Sequence, residues 1–273
     1  MFNSLKNYIK QTPLAIPFII LKNALNKSAF SQSNEAQIID RLVSRFNVPK
    51  TFVEFGFSGW EFNCIKIAHE WEGLLLDGGA YNVTIANQIF PKAITAKQMW
   101  ITLDTLDFVL DYSKSRKLGI LSVDVDGNDY WFLEKLITTN PAIIIVEFNV
   151  SFGLFPISVP YDSAFDRIKK HESWEYYGAS LSAMHHLCNL HDYSLIEISQ
   201  NGVNAFFVRN DLLTADDRRL TPEEGYREKS YPDGSIAPTE QFWEIIKQLP
   251  YVDVTKSDVS YKTGGAQINW ADR

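Results

Sequence analysis

Four apolar runs in the sequence end on acidic or amide side chains, at the point where each run meets a turn. The runs read TFVEF, GLLLD, LGILSVDVD and IIIVEFN. Short apolar runs bounded by turn residues indicate buried strands, and the carboxyl ends of parallel strands meet at one edge of a sheet. Carboxylates at such an edge can hold a cation, accept hydroxyl groups or remove a proton. Six side chains are expected to converge there: Glu54, Asp77, Asp124, Asp126, Glu147 and Asn149.

The turn after the first run reads EFGFSG, and its glycines allow a ligand to approach the backbone N–H groups closely. In the G-x-G-x-x-G turn of dinucleotide dehydrogenases, a glycine stands where this chain has Glu54. A carboxylate there favours a cationic ligand over a pyrophosphate, which it would repel. S-adenosylmethionine carries a sulfonium and an ammonium group, and Asp77 can accept both hydroxyls of its ribose. Two plainer roles stay open: Glu54 as the cap of the following helix, and Asp77 as a turn residue.

The loop SVDVDGND concentrates side chains that carry oxygen. Four of them fall within six residues: Asp124, Asp126, Asn128 and Asp129. Hard cations such as Mg²⁺ take oxygen ligands, but an EF-hand is excluded because Gly127 stands at position four of the loop rather than six. A metal would be held by Asp126 together with Glu147 and Asn149. Without a metal, Asp126 can act as the base for a hydroxyl that Glu147 and Asn149 help to orient. The plainer alternative is an Asx-rich turn that caps a helix near Tyr130.

Segments of strand type alternate with segments of helical spacing along the chain. The helical segments read AQIIDRLVSRF, EFNCIKIAHEW, MWITLDTLDFVLDYSK, YWFLEKLITT and SLSAMHHLCNLHD. The runs YSLIEIS and NAFFVRNDL, joined by the turn QNG, are typical of a hairpin. This order predicts a Rossmann-like, doubly wound α/β fold, with a mostly parallel seven-stranded sheet and a C-terminal antiparallel hairpin. We expect a helical extension over residues 1–45, the main domain over 46–213, and a lid or subunit contact over 214–273.

Several motifs in the middle of the chain resemble those of class I S-adenosylmethionine-dependent methyltransferases, close to an FkbM-like bacterial group. They read FVEFGFSGWEFN, GLLLDGG, ITA, LSVDVDGNDYW, VEFN, VPYD, YYGASLSA and NAFFVRNDL. The resemblance implies S-adenosylmethionine as cofactor, and an O-methyltransferase acting on a hydroxyl of a sugar, a glycan or a similar precursor, as in polysaccharide biosynthesis. The chain departs from that pattern in the first turn, where Ser58 and Trp60 replace glycines, and at Asp126, where broader FkbM-type sequences have Glu. The residues expected to bind the cofactor are Glu54, Gly56, Ser58, Gly59, Asn63, Asp77, Gly78 and Asp124.

Further side chains are candidates for proton transfer or for contact with a small-molecule or carbohydrate acceptor. His185 can act as a general base because histidine titrates near neutrality, although the adjacent His186 cannot face the same site. The side chains expected to bind the acceptor are Tyr161, Tyr177, Ser180 and Arg209. Ser180 is equally suited to capping a helix, and Arg209 can either clamp an anionic group such as phosphate or form a strand-end salt bridge.

The composition argues against some classes of protein. The net charge of -7 and the pI of about 5.3 speak against a general nucleic-acid binder. Cys64 and Cys188 are too few for a disulfide framework, and we expect free thiols and a cytoplasmic location. The segment PLAIPFIILKNAL is too short and too interrupted by proline to span a bilayer. It is expected to pack on the domain or on the second subunit of a homodimer, with attachment to a membrane surface as the alternative.

Two other functions stay open at this point. A nicotinamide-dependent oxidoreductase would need a glycine in place of Glu54 and a catalytic Tyr–Lys or similar pair, which the sequence does not reveal. A methyltransferase-like subunit that binds the cofactor without turnover is compatible with the altered glycine turn.

Overall fold

The computed structural model describes residues 31–59 and 61–256, together with the backbone of residues 267–268. Most of the predicted N-terminal extension, Trp60 in the first turn and the end of the predicted C-terminal extension therefore lie outside the described residues. The domain boundaries after residues 45 and 213 stay predictions.

The main sheet is seven strands wide in the described part of the chain, with the order β3-β2-β1-β4-β5-β8-β7. Its strands are β1 (Thr51–Phe55), β2 (Glu72–Asp77), β3 (Ile94–Gln98), β4 (Ile120–Val123), β5 (Ile143–Glu147), β7 (Tyr193–Ile198) and β8 (Asn204–Arg209). Strands β1 to β5 pair in parallel, and β8 is antiparallel to both β5 and β7. The predicted Rossmann-like, doubly wound sheet with a closing antiparallel hairpin is confirmed. Because the chain builds outward from β1 on one side and from β4 on the other, the switch point lies between these two strands.

The central strands are short apolar runs because both of their faces are buried. Successive side chains of a strand point to opposite faces, so Phe52 and Val53 enter two different core clusters. Leu74 and Leu75 on β2 divide in the same way. Every residue of β5 is buried. Each buried aliphatic or aromatic side chain contributes roughly 1.5–3 kcal/mol to stability, which fixes the register of the sheet and hence the height at which each strand ends.

Helices cover both faces of the sheet. In chain order, the described α-helices are α1 (Glu35–Arg45), α2 (Ala80–Ile89), α3 (Asp107–Lys114), α4 (Asp129–Leu136), α5 (Arg167–Lys170), α6 (Leu181–Leu190), α7 (Pro222–Gly225) and α8 (Thr239–Ile246). The core on one face includes residues of α1 and α2, and the core on the other includes residues of α3, α4 and α6. Cys64 and Cys188 are free and buried, one in each of these cores.

Three helical segments differ from their sequence prediction. The segment after β1 forms two 3-10 turns, Asn63–Lys66 and Ala68–Glu70, because it buries apolar side chains on several sides rather than along one stripe. The segment before α3 is helical only from Asp107, because the Thr102 and Thr105 side chains bond to each other's backbone N–H and hold a turn there. Helix α2, between β2 and β3, is not predicted by the sequence pattern.

Part of the predicted C-terminal extension packs back onto the main domain. Strands β9 (Tyr251–Asp253) and β10 (Gln267–Ile268) form a small antiparallel sheet with β6 (Ile157–Ser158), in the order β10-β9-β6. Tyr251 packs edge-on against Phe152 at 5.1 Å between ring centroids, inside an aromatic cluster that α8 joins through Ile246. In the described residues no helix has the length and apolar character that crossing a bilayer requires.

Candidate active site

A cleft of about 490 Å³ opens at the carboxyl ends of β1, β2, β4 and β5, across the switch point of the sheet. Ten of the residues singled out in the sequence line this cleft: Glu54, Gly56, Ser58, Asn63, Asp77, Gly78, Asp124, Asp126, Asn128 and Glu147. Five of the six predicted strand-end side chains are thus brought together, and Asn149 is not among the lining residues.

Gly56 lets the turns after β1, β2 and β4 approach one another. Its φ of +70° is in the left-handed region, and a Cβ at this position would lie 1.3 Å from the backbone oxygen of Asp124. Its N–H donates to the carbonyl of Leu76 at 3.1 Å. Another residue at position 56 would therefore force the floor of the cleft apart.

The Glu54 carboxylate is bound to the backbone of its own turn. It is 2 % exposed and accepts hydrogen bonds from the N–H groups of Asn63 at 2.7 Å and Cys64 at 2.9 Å. Burial raises its pKa, and the two N–H donors oppose that rise. Glu54 borders the cleft, but the geometry agrees with the plainer role, in which it caps the turn that follows.

Asp77 has one oxygen bound within the turn and one available to a ligand. Its Oδ1 accepts from the N–H of Gly79 at 2.7 Å and from Nδ2 of Asn82 at 3.0 Å. No hydrogen bond from a described residue reaches Oδ2. Asn82 also accepts from the N–H of Gly59 at 3.0 Å, so it ties together the turns after β1 and β2. Gly59 itself does not line the cleft, and it packs against Ile85 instead.

Asp124 and Glu147 form a pair of interacting carboxyl groups on the floor of the cleft. Burial raises the pKa of Glu147 to about 8, and it also raises the pKa of Asp124, which the nearby Glu147 carboxyl raises further. Glu147 is 8 % exposed, and its Oε2 is buried without a hydrogen-bond partner among the described residues. Because two such groups cannot both ionise cheaply, the pair retains a proton near neutral pH.

The rest of the acidic loop is organised by its own side chains. Buried Asp129 accepts from the N–H groups of Val125 at 2.7 Å and Gly127 at 2.9 Å, and burial raises its pKa to about 6. Asp126 has a φ of +56°, is exposed, and forms an ion pair with Arg167. Part of the loop is thus the Asx-rich turn that the sequence left open.

Asn149 is wrongly assigned to a metal site and to catalysis in the sequence analysis. Its side chain is fully buried, donating to the carbonyls of Glu175 at 2.7 Å and Tyr177 at 3.0 Å and accepting from the N–H of Ser151 at 2.9 Å. The predicted set with Asp126 and Glu147 is therefore not assembled. Nowhere in the described ranges do three or more His, Cys, Asp or Glu side chains group in a way that could hold a metal ion.

Five other predicted side chains lie outside the lining of the cleft: His185, Tyr161, Tyr177, Ser180 and Arg209. Arg209 ends a strand that runs antiparallel to β5, so it lies at the opposite edge of the sheet and pairs with Asp211 at 2.6 Å. Helix α6 turns Met184 and Leu187 into the core, which leaves His185 half-buried beside Glu223 on the outside of the domain.

The remaining three side chains form contacts within the fold. The Ser180 hydroxyl caps α6 by accepting from the N–H of Ala183 at 3.0 Å. The Tyr161 hydroxyl accepts from the N–H of Leu103 at 3.1 Å. The ring of buried Tyr177 carries the guanidinium of Arg167 at 3.6 Å from its centroid.

Among the lining residues that the sequence analysis does not single out are Trp100, Arg167 and Lys229. Trp100 follows the end of β3 and is 58 % exposed. A search for side chains that directly follow a strand, without restriction to acids and amides, could have found it. Arg167 and Lys229 belong to segments outside the main sheet, and no periodicity or motif connects them to the strand ends.

Comparison with protein-family models returns no match, and comparison with curated proteins returns none either. Among solved structures, the N-terminal domain of EvdMO1 with S-adenosylhomocysteine (SAH) bound is 12% identical, with a TM-score of 0.42 over 66% of this chain and 80% of that chain. A TehB-like SAM-dependent methyltransferase from Corynebacterium glutamicum is 10% identical, with a TM-score of 0.37 over 72% of this chain and 100% of that one. DesVI from Streptomyces venezuelae is 11% identical, with a TM-score of 0.40, and the match covers 65% of this chain and 93% of that chain. Similarities at this level do not assign a function.

Proposed function

We propose that this chain is an S-adenosylmethionine-dependent O-methyltransferase acting on a hydroxyl of a small or carbohydrate-like acceptor. One observation carries the proposal: five strand-end carboxyl side chains line a single cleft at the switch point of a doubly wound sheet. Ligands of such sheets bind at the carboxyl ends of the strands. A cleft lined in this way favours a ligand that carries positive charge, and S-adenosylmethionine has two cationic groups.

The residues present fit this cofactor. The turn at Gly56 leaves no room for a side chain, so the backbone after β1 borders the cleft directly. Asp77 keeps Oδ2 available to accept from ribose hydroxyls, and Asp124 supplies a carboxyl for the cationic methionine end. When bound, S-adenosylmethionine supplies a methyl group made electrophilic by its sulfonium.

Glu147 is the residue that we assign as the general base. It lies on the cleft floor with an unpartnered oxygen, and its pKa of about 8 is close to the pH at which a base works efficiently. The Glu147 carboxylate would take the proton of the acceptor hydroxyl, and the cofactor would supply the methyl group and leave as SAH when its carbon–sulfur bond breaks. Asp126 is less suited to the role because it is already paired with Arg167. Its role is to hold that guanidinium in place.

No step is assigned to a metal ion, because Asn149 is engaged elsewhere and the described side chains do not form a ligand set. The sugar hydroxyl as acceptor, the FkbM-like group, the cytoplasmic location and the homodimer stay predictions. The resemblance of the motifs supports the first two of these.

Calorimetric titration of the purified, dialysed chain with SAH, in parallel with NADH, tests the proposal. We expect micromolar binding of SAH and no binding of NADH. The variant Asp77→Asn keeps the oxygen that the turn uses but loses the second acceptor, and it should bind SAH about tenfold more weakly. Asp104→Asn is the matched control, because Asp104 is exposed and lies outside the cleft. Absence of SAH binding would refute the proposal, provided that mass spectrometry of the denatured sample shows no copurified cofactor.

A further inference from the structure

The cleft divides into two regions of different charge. Asp77, on β2, and Glu147, on β5, are separated by three strand spacings, which is roughly 14 Å. The region around β2 and β1 is bordered by carboxylates. The basic side chains of the cleft lining, Arg167 and Lys229, lie near Glu147 on β5, because the charges of both act on its carboxyl group and Arg167 pairs with Asp126. A cationic cofactor fits the first region, which leaves the second for the acceptor.

Arg167 is held rigidly at this second region. Its Nη1 donates to Asp126 and its Nε donates to the carbonyl of Trp174. Its guanidinium lies over the ring of Tyr177, and Nη2 is 3.9 Å from the carboxylate of Glu175. The guanidinium is therefore pre-oriented, with donor capacity on Nη2 that these contacts do not use.

Lys229 says more than Arg167 about the ligand that this region would bind. Its backbone is fixed, because its carbonyl accepts from the N–H of Ala237 at 2.8 Å, and its side chain is half-buried. Its ammonium group forms no hydrogen bond or ion pair with any residue in the described ranges. The positive charges of Lys229 and Arg167 lower the pKa of Glu147, but burial outweighs them and holds that pKa at about 8. Glu147 is then largely protonated at neutral pH and does not balance the charge of Lys229.

We propose that the methyl acceptor carries an oxyanion, either a phosphoryl or a carboxylate group, close to the reacting hydroxyl, and that Lys229 binds it together with Arg167. The proposal rests on the proposed function, because it takes the β5 side of the cleft as the acceptor region. A half-buried ammonium without a partner is costly unless a ligand supplies the opposite charge. Lysine and arginine are both suited to phosphate and carboxylate oxygens. An acceptor that carries an amine would be repelled there.

Calorimetric titrations of the full chain at constant ionic strength test this, with glucose 6-phosphate, glucuronate, inorganic phosphate and glucose as probes. They are run with the chain saturated with SAH and again without SAH, so the anion result does not depend on the cofactor result. We expect at least one of the two charged sugars to bind more tightly than glucose. Preference for the phosphate sugar or for glucuronate identifies which oxyanion the acceptor carries.

Substitution of the lysine connects the binding to this site. Lys229→Met should weaken binding of the charged sugar about tenfold or more, and Lys229→Arg should retain most of the binding. Lys247→Met is the matched control, because Lys247 is also partly exposed but lies outside the cleft. Unchanged affinity for SAH in Lys229→Met would show that the variant is folded.

Two outcomes would overturn the inference. One is that no anionic probe binds more tightly than glucose up to millimolar concentrations, and the other is that Lys229→Met binds the charged sugar as the parent chain does. Either result leaves the proposed function intact as long as SAH binds. Failure of SAH to bind, in contrast, counts against the proposed function and is read from a separate titration.

Discussion

In the half of the cleft formed by β1 and β2, the carboxylates bond to the backbone of their own turns. In the half formed by β4 and β5, the carboxyl groups that line the cleft do not, although Asp129 behind them binds the backbone of its own loop. Glu54 accepts from two N–H groups and Asp77 accepts from one, whereas Glu147 has a buried oxygen without a described partner. The first arrangement builds the rim of the cleft. The second leaves a titrating group available for proton transfer.

An unpartnered carboxyl does not by itself indicate chemistry. Glu134 on α4 also has a buried Oε2 without a described partner, and burial raises its pKa to about 7. It lies outside the cleft lining, and among the described residues no carboxyl or basic side chain shifts its pKa, in contrast to Glu147. The combination of a free oxygen, a neighbouring Asp124 and an open cleft therefore distinguishes Glu147, and Glu134 offers a matched control.

The largest effect is expected from Gly56→Ala, at the position where the two halves of the cleft meet. The new Cβ would overlap the backbone oxygen of Asp124 at 1.3 Å, and the residue would keep a φ that L side chains rarely adopt. We expect a loss of about 3 kcal/mol or more in the free energy of unfolding, measured in urea, and no measurable SAH binding.

The variant Gly234→Ala separates the clash from the backbone conformation. Gly234 has a φ of +85°, but no atom lies within 4 Å of the position that a Cβ would take there, so only the conformational cost applies. That cost is about 1–2 kcal/mol. Equal losses in the free energy of unfolding of the two variants would mean that the backbone around Gly56 is not tightly packed.

Sequence reasoning succeeded where a property repeats along a strand. The apolar runs named in the sequence predicted six of the seven strands of the main sheet, and the acids at their ends predicted five residues of the cleft lining. It failed where a side chain's role depends on contacts distant in sequence. Asn149 ends an apolar run as Glu147 does, yet its amide donates hydrogen bonds to the carbonyls of residues 26 and 28 positions later. Arg167 and Lys229 reach the cleft from segments whose path follows from packing rather than from a local pattern.

The second largest effect is expected from Glu147→Gln, which removes the base while keeping the shape of the side chain. Methyl transfer should fall by about 10²–10⁴-fold, with SAH affinity unchanged. In the parent chain the rate should rise with pH through about pH 8, because Glu147 must lose its proton to accept another. Glu134→Gln should leave the rate and its pH profile unchanged. A parent rate that does not change between pH 6 and pH 9 would contradict the assignment.

The substitution Glu147→Gln should also change how the free energy of unfolding depends on pH. Glu147 has an ordinary pKa of about 4.5 in the unfolded chain and about 8 in the folded chain. Between these values the folded chain binds more protons than the unfolded chain, so its stability falls as pH rises. Glu147→Gln should remove that part of the slope, which urea unfolding at pH 5 and pH 8 would detect.

The smallest of the three effects, and the one that tests the comparison most directly, is expected from Glu54→Gln. The amide keeps one acceptor oxygen but turns an N–H₂ toward the second backbone N–H, at a position that is 2 % exposed. We expect a loss of about 2 kcal/mol in the free energy of unfolding and only a minor change in the rate of methyl transfer. Glu61→Gln makes the same change of charge at an exposed residue of the cleft and should alter stability by less than about 0.5 kcal/mol. If Glu54→Gln instead unfolded like the parent chain but no longer transferred methyl groups, Glu54 would belong with Glu147. The division between a structural and a chemical half of the cleft would then be wrong.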